Sequence, residues 1–459
     1  MSKTIDIKAF IDGRPIAPFL WALVAMCFLI VVADGMDVAI MGFVTPPILQ
    51  DWNISRPAFG LVISAAPLGL VIGALIAGPS SDRFGRKIVL TASVLLFGIF
   101  TTIAAGASSP QEMALLRLLA GMGMGAAMPN ATTLLSEYVP LRRRSLLITI
   151  MFSGFTLGSA VIGFIAGIMI PHFGWRSVLL VGGITPLVLV PFLVALLPES
   201  ARYMALQGTP ADKIAAMLGR VTGYQFTGGE SFVSSEPSLR TKRPIGVLFS
   251  DGYAATTIAL WITYFMGLMV VYLLTGWLPT LMRDAGLTIT AAANVTAMFQ
   301  VGATIGAILI GWSMDLRHPS RVIGAAYLAG AIFIMALAWV GALSGRLAVL
   351  VFAAGFCVSG AQTSLNAFAP GRYPTVARAT GVSWMLGMGR FGGIVGSLVG
   401  GALLGLGWGF GAILGILAVP ALCAAIAIAS VSDDAKRVSG SSGPAKGANA
   451  ASLGERQRP

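Results

Sequence analysis

Four ionisable side chains lie well inside apolar stretches of this chain: Asp34, Asp37, Arg117 and Arg390. A charge at the middle of a bilayer costs roughly 2.5–3.5 kcal/mol on insertion scales, so such groups are functional candidates by default. Asp34 and Asp37 are three positions apart and share one face of a helix. Asp37 lies about six residues, or roughly 9 Å, from the end of its stretch. Arg117 lies about as far from the same surface on an antiparallel stretch, so the two can pair if their helices face each other. Drying favours the protonated form of a carboxyl group and a neighbouring arginine opposes it, which makes such a pair a candidate proton switch with Asp34 beside it. The alternative is a static salt bridge that orients the first helix. Arg390 stands near the middle of its stretch and carries a planar fork matched to a carboxylate. It anchors either an anionic substrate or an acid of its own half.

A second set of charges sits at helix ends: Asp82, Arg83, Arg86, Glu137, Arg144, Glu199 and Arg378. Membrane topology alone accounts for the arginines but not for Asp82 and Glu137 among them. These residues are expected to form ion pairs of a gate that closes one face and breaks when the cavity opens there. Among neutral polar groups within apolar stretches, Asn130, Gln300, Gln362 and Asn366 are candidate ligand contacts, or else interhelical hydrogen-bonding groups. Gln362 and Asn366 are four apart and share a face.

The elements that position these groups follow from composition. Of 459 residues 56% are hydrophobic and 10% charged, with a mean hydropathy of +0.85, against roughly 25% charged in soluble proteins. The apolar residues fall in runs of about 18–25, long enough to cross a hydrocarbon layer of roughly 30 Å. They lack the two-residue alternation of a barrel strand, so the expected fold is an all-α bundle. Twelve spans are predicted near 19–43, 58–80, 88–107, 112–136, 146–170, 176–197, 254–280, 291–313, 321–343, 347–369, 380–403 and 406–430. The first is too long for a cleavable signal core and is read as a retained helix.

Basic residues cluster in alternate loops: Arg83, Arg86 and Lys87; Arg142, Arg143 and Arg144; Arg317 and Arg321; Arg372 and Arg378. The long central segment adds Arg202, Lys213, Arg220, Arg240, Lys242 and Arg243, whereas the opposite loops look nearly uncharged. The positive-inside rule then puts both termini and the central segment in the cytoplasm, and this placement speaks against nucleic acid as the partner of the +12 net charge. The division is an N-terminal segment (1–18), a six-helix bundle (19–197), a central cytoplasmic segment (198–250), a second bundle (251–430) and a disordered tail (431–459). An internal repeat supports two halves. Gly78-Pro-Ser-Ser-Asp82-Arg83-Phe84-Gly85-Arg86-Lys87 joins runs 2 and 3, and Gly311-Trp-Ser-Met-Asp315-Leu-Arg317 joins runs 8 and 9.

These residues also carry a resemblance. Gly78–Lys87 resembles the G-x-x-x-D-R-x-G-R-K signature of the major facilitator superfamily, and Arg117-x-x-x-Gly121-x-Gly123-x-Gly125 its second motif. Pro198-Glu199-Ser200-Ala-Arg202 and Tyr373-Pro374-x-x-x-Arg378-Ala379-Thr380-Gly381 resemble its motifs after runs 6 and 10. Asp34-Gly35-Met36-Asp37 is similar to the D-G-x-D of the aromatic acid:H⁺ symporters, and Gly387-Met-Gly389-Arg390-Phe-Gly392 to that family's eleventh helix. The resemblance implies proton-driven uptake of a benzoate-, 4-hydroxybenzoate- or protocatechuate-type carboxylate through a bacterial inner membrane, with the proton gradient as energy source and no cofactor. Such a ligand needs flat apolar walls; Tyr264, Phe265, Tyr272, Trp277, Phe368 and Trp384 are the aromatic candidates, each otherwise a packing residue.

Other readings remain open or fall. Antiporters of the superfamily usually carry Gly-Pro in the fifth helix, where this chain has Gly158-Ser159, which favours symport. Transport of another organic acid or a sugar, or export of small metabolites or drugs, stays possible. Gly69/Gly73, Gly154/Gly158, Gly163/Gly167, Gly389/Gly393 and Gly396/Gly400 are four apart and suit close, sliding helix contacts. His172 and His318 fall in or near loops, poor positions for a proton relay. Cys27, Cys357 and Cys423 lack metal or disulfide spacing. No nucleophile–base constellation points to an enzyme, no metal site or obligatory protein partner is indicated, and the central segment is too short for a signalling domain.

Overall fold

The computed structural model describes residues 4–227, 229–233, 248–249, 253–340, 345–373 and 375–431. The side chains at 82, 145, 315 and 375–379 lie outside that description, as do Pro374, Arg240, Lys242, Arg243 and the tail from 432. Two gate candidates, Asp82 and Arg378, therefore fall outside the described side chains, as does Asp315 of the second repeat loop.

Among the described residues twelve long helices follow in order. The N-terminal half holds α2 (Pro18–Asp51), α3 (Arg56–Phe84), α4 (Arg86–Ala104), α5 (Pro110–Tyr138), α6 (Leu141–Phe173) and α7 (Trp175–Leu196). The C-terminal half holds α10 (Ala254–Asp284), α11 (Ile289–Leu316), α12 (Pro319–Val340), α13 (Leu347–Phe368), α14 (Thr375–Gly405) and α15 (Phe410–Ala429). Among the described residues eleven helices are long and apolar enough to cross a membrane. The other long helix, α5, carries Glu112, Arg117, Asn130 and Glu137. It packs on α2, α3 and α4, and its Arg117 is met by Asp37 of α2 rather than by lipid. At 29 residues it is long enough to span.

The two halves repeat one packing scheme. In the first, α2 lies on α6, α3 on α5 and α4 on α7; in the second, α10 lies on α14, α11 on α13 and α12 on α15. Glycines are repeated with the contacts. A β-carbon at Gly69 or Gly73 would collide with the carbonyls of Leu118 and Met122, and one at Gly302 or Gly306 with those of Phe352 and Phe356. Backbones at these crossings touch because no side chain intervenes.

The halves join through α2–α10, α3–α14 and α6–α11. At the end away from the basic loops, here the far end, Gly60 and Gly401 approach so closely that a β-carbon on Gly401 would stand 3.2 Å from Gly60 Cα. Nearer the basic end, Gly78 and Gly387 have nothing within 4 Å of such an added carbon. The buried apolar residues agree: one cluster runs through the far end of the first half into the second, while the basic end of the first half has a cluster of its own. The halves are sealed together at the far end and part towards the basic end.

One sequence expectation needs correcting. The far-end loops are charged but balanced: Arg56 pairs with Asp284 at 2.7 Å across the halves, and Arg176 with Asp51 at 3.5 Å. The N-terminal and central segments carry structure of their own. β1 (Thr4–Asp6) pairs in parallel with β2 (Ser231–Val233). With α1 (Ile7–Asp12), α8 (Ala201–Leu206) and α9 (Ala211–Thr222) they form a cap on the first half, knit by edge-on and tilted contacts among Phe10, Tyr224, Phe226 and Phe232.

Candidate functional site

The first half contributes a dry ion pair. Arg117 of α5 donates from Nη1 to Asp37 Oδ1 at 2.8 Å and from Nη2 to Oδ2 at 2.7 Å, and adds a 3.1 Å bond to the Asp37 carbonyl. Thr101 of α4 donates its hydroxyl to Oδ1 at 2.6 Å. Both charged side chains are 0% exposed. Helices α2, α4 and α5 supply the partners of this pair; its two parallel bonds and the Thr101 hydroxyl offset the cost of burial, while Arg117 Nε stays buried without a partner. A small cavity between α2, α3, α5 and α10 reaches Arg117 and is bounded by Tyr272 and Thr275.

One turn along α2, Asp34 has a different environment. It is 3% exposed, and its Oδ1 is buried without a hydrogen-bond partner. Between the two acids, Gly35 lets α6 pass so closely that a β-carbon would strike the Phe155 carbonyl. Ser159 of α6 donates to the Gly35 carbonyl at 2.8 Å. The hydroxyl that stands where antiporters carry proline thus ties α6 to the helix bearing both acids.

The second half faces Asp34 with a polar cluster. Arg390 of α14 is half-buried and its Nη1 has no partner. Tyr264 of α10 packs its ring against Gly389 and donates its hydroxyl to Asn366 Oδ1 at 2.9 Å. Tyr327 of α12 donates to Gln362 Oε1 at 2.6 Å, and Gln362 Nε2 is left buried and unbonded. The second half thus offers an unpaired guanidinium nitrogen, an unbonded amide donor and tyrosine rings, and the first half an unbonded carboxyl oxygen. The arrangement suits a small anion with a flat apolar body.

Comparison with known proteins gives this architecture a family. The pattern described as Major Facilitator Superfamily matches residues 27–293 and 260–455. This chain belongs to the major facilitator superfamily. It is 56% identical to the gallate transporter of Pseudomonas putida, over 92% of this chain and 94% of that one. It is 48% identical to the 4-hydroxybenzoate transporter PcaK of Pseudomonas aeruginosa, over 93% and 95% respectively, and 34% to the benzoate transport protein of Acinetobacter baylyi, over 88% of each. Among solved structures, the inward-open xylose transporter XylE of E. coli superposes with a TM-score of 0.69 at 17% identity, covering 89% of this chain and 95% of that one. The protein is a multi-pass membrane transporter and not an enzyme.

The superfamily motifs at the basic end form one knot within the first half. Gly85, at a φ of 93°, makes the turn between α3 and α4, a conformation open to glycine at little cost. Glu199 Oε1 accepts from the Arg86 and Lys87 amides at 2.8 and 3.2 Å, placing negative charge at the N-terminus of α4. Tyr138 donates to the Glu199 carbonyl and Ser200 to Glu137, whose carboxylate stands 3.7 Å from Arg86 Nε. Arg144 donates to the Val139 carbonyl at 3.4 Å, and the Arg83 carbonyl accepts from Tyr203 at 2.9 Å. The partners seen for Arg83, Arg86, Glu137, Arg144 and Glu199 thus all belong to this half and its cap.

The remaining candidates are dispersed. Asn130 turns back on its own helix to the Ala126 carbonyl at 2.8 Å. Gln300 donates to Thr275 at 3.2 Å, joining α11 to α10 beside the Arg117 cavity. Trp384 stacks on Trp261 at 5.6 Å, six positions nearer the basic end than Arg390. Trp277 is fully buried and donates to the Ser397 carbonyl at 2.8 Å, which makes it a packing residue. Phe368 is buried beneath the Arg372 guanidinium. Thr101, Ser159, Gly267 and Tyr327 were not legible as site residues, because hydroxyls and glycines are common in membrane helices and these bear no spacing relation to their partners.

Proposed function

We propose that this chain imports a small aromatic carboxylate together with a proton, by alternating access across a bacterial-type inner membrane, with both termini in the cytoplasm. One observation carries the reading: a carboxyl oxygen of Asp34 in the first half and a guanidinium nitrogen of Arg390 in the second are both buried without a hydrogen-bond partner. Relatives named for gallate, 4-hydroxybenzoate and benzoate transport support the substrate class.

Arg390 holds the substrate carboxylate with its fork, while Tyr264 and Tyr272 supply flat walls. Asp34 carries the proton, since neutralising it breaks no ion pair, whereas Asp37 is gripped by Arg117 and Thr101. In this state the far end is shut by the Arg56–Asp284 pair and the Gly60–Gly401 contact, so the site communicates with the cytoplasm. Opening to the outside requires these contacts to part and the basic ends to close. The proton gradient supplies the energy; no cofactor takes part.

The test is uptake of labelled benzoate, 4-hydroxybenzoate, protocatechuate and gallate into proteoliposomes, with and without an inward proton gradient. Accumulation of at least one acid that depends on the gradient is the expected result. If none accumulates, or uptake ignores the gradient, the proposal fails.

A further inference from the structure

Gln362 and Asn366 stand one turn apart on α13, and each has its amide oxygen occupied by a tyrosine of a different helix. Tyr327 of α12 donates to Gln362 Oε1 at 2.6 Å, and Tyr264 of α10 donates to Asn366 Oδ1 at 2.9 Å. An amide whose oxygen is taken presents only N–H donors. Gln362 is 5% exposed and its Nε2 is buried without a partner. A buried donor left unmade is costly, so the site is complete only when something accepts from it. Gly267 of α10 closes over the pair: a β-carbon there would collide with both Gln362 Oε1 and the Tyr327 hydroxyl. Tyr327 is itself 0% exposed, which fixes the hydroxyl in place.

We propose that Tyr327 and Gly267 are positioning residues for specificity: they lock the Gln362 amide so that its N–H group reads an acceptor oxygen on the ring of the substrate. Arg390 takes the carboxylate, and the Gln362 amino group takes a ring hydroxyl oxygen, which selects hydroxylated aromatic acids over ring-unsubstituted ones. This inference rests on the aromatic-acid reading above. It adds the polarity of the wall opposite the carboxylate.

Two acids of similar shape and opposite hydrogen-bonding character separate the idea from general damage. The hydroxyl of 4-hydroxybenzoate can accept as well as donate, whereas the planar, conjugated amine of 4-aminobenzoate mainly donates. Binding of both, and of benzoate, is measured by calorimetry on the full-length transporter in lipid nanodiscs. The wild-type protein should prefer 4-hydroxybenzoate over 4-aminobenzoate by about tenfold, the worth of one good hydrogen bond. Tyr327→Phe frees Gln362 Oε1, lets the amide turn over and accept from an amine, and should bring the ratio close to one. Gln362→Leu removes the donor and Gly267→Ala presses on the locked pair; both should also erase the preference. A wild-type ratio near one, a ratio unchanged in Tyr327→Phe, or a parallel loss of all three acids in that variant overturns the inference. Failure of the wild-type protein to bind any of the acids instead overturns the aromatic-acid reading on which it rests.

Discussion

Arg117 and Asp37 meet fork to fork, two N–H groups on two carboxylate oxygens at 2.8 and 2.7 Å, with neither side chain exposed. Removing one partner strands the other charge in a dry interior, a loss of about 3–5 kcal/mol. Arg117→Ala should therefore lower the melting temperature of the purified transporter sharply, as read by intrinsic fluorescence in detergent. Arg117→Lys should rescue little of it, since a single ammonium cannot reproduce the two parallel bonds. A melting temperature near wild type for Arg117→Ala would mean that the pair contributes nothing net.

Asp34 behaves oppositely because its Oδ1 has no partner to lose. Asp34→Asn should fold and melt like wild type, yet fail to accumulate substrate against a gradient. Exchange of internal for external substrate needs no net proton movement and should continue in this variant. Gradient-driven accumulation at the wild-type level would remove Asp34 as the proton carrier.

Arg390 is expected to act on affinity. Arg390→Ala should raise the apparent substrate constant at least tenfold, roughly 1.4 kcal/mol or more. Arg390→Lys should recover part of this, because charge is kept and the fork is lost. An unchanged constant in the alanine variant would assign the carboxylate to another group.

The far-end latch should shift a population rather than stability. Arg56 and Asp284 are each 38% exposed, so their pair contributes only about 0–1 kcal/mol and weakens with salt. Even that is enough to change the share of outward-open molecules several-fold. In a background lacking Cys27, Cys357 and Cys423, a reporter substitution Thr280→Cys at a position now 2% exposed should react faster with a polar thiol reagent once Asp284→Ala is added. Equal rates would show that the pair does not hold the far end shut.

At the basic end, Gly85 combines a positive φ with the Glu199 carboxylate at its back. Gly85→Ala should cost about 1–2 kcal/mol in folding stability, since alanine disfavours that backbone region. Glu199→Gln should cost less than Glu199→Ala, because the amide oxygen still accepts from the Arg86 and Lys87 N–H groups. Thermal melts of the three variants give the order; a Gly85→Ala protein as stable as wild type would contradict it.

What the chain settles on its own is whatever depends on neighbours along it. Run length and hydropathy specify the helices, and the arginines of alternate loops specify which helix ends lie together, since burial in lipid is a property of each segment. The depth of Asp37 and Arg117 follows from counting residues along two helices. Which acid Arg117 grips does not: Asp34 and Asp37 share a face, and the choice depends on how far α5 is rotated against α2 and on Thr101 arriving from α4. Only packing decided that Asp37 is sealed while Asp34 stays unbonded, and that tyrosines of α10 and α12 take the amide oxygens of α13. Those contacts join positions from 35 to 102 residues apart, a range over which no periodicity of sequence extends.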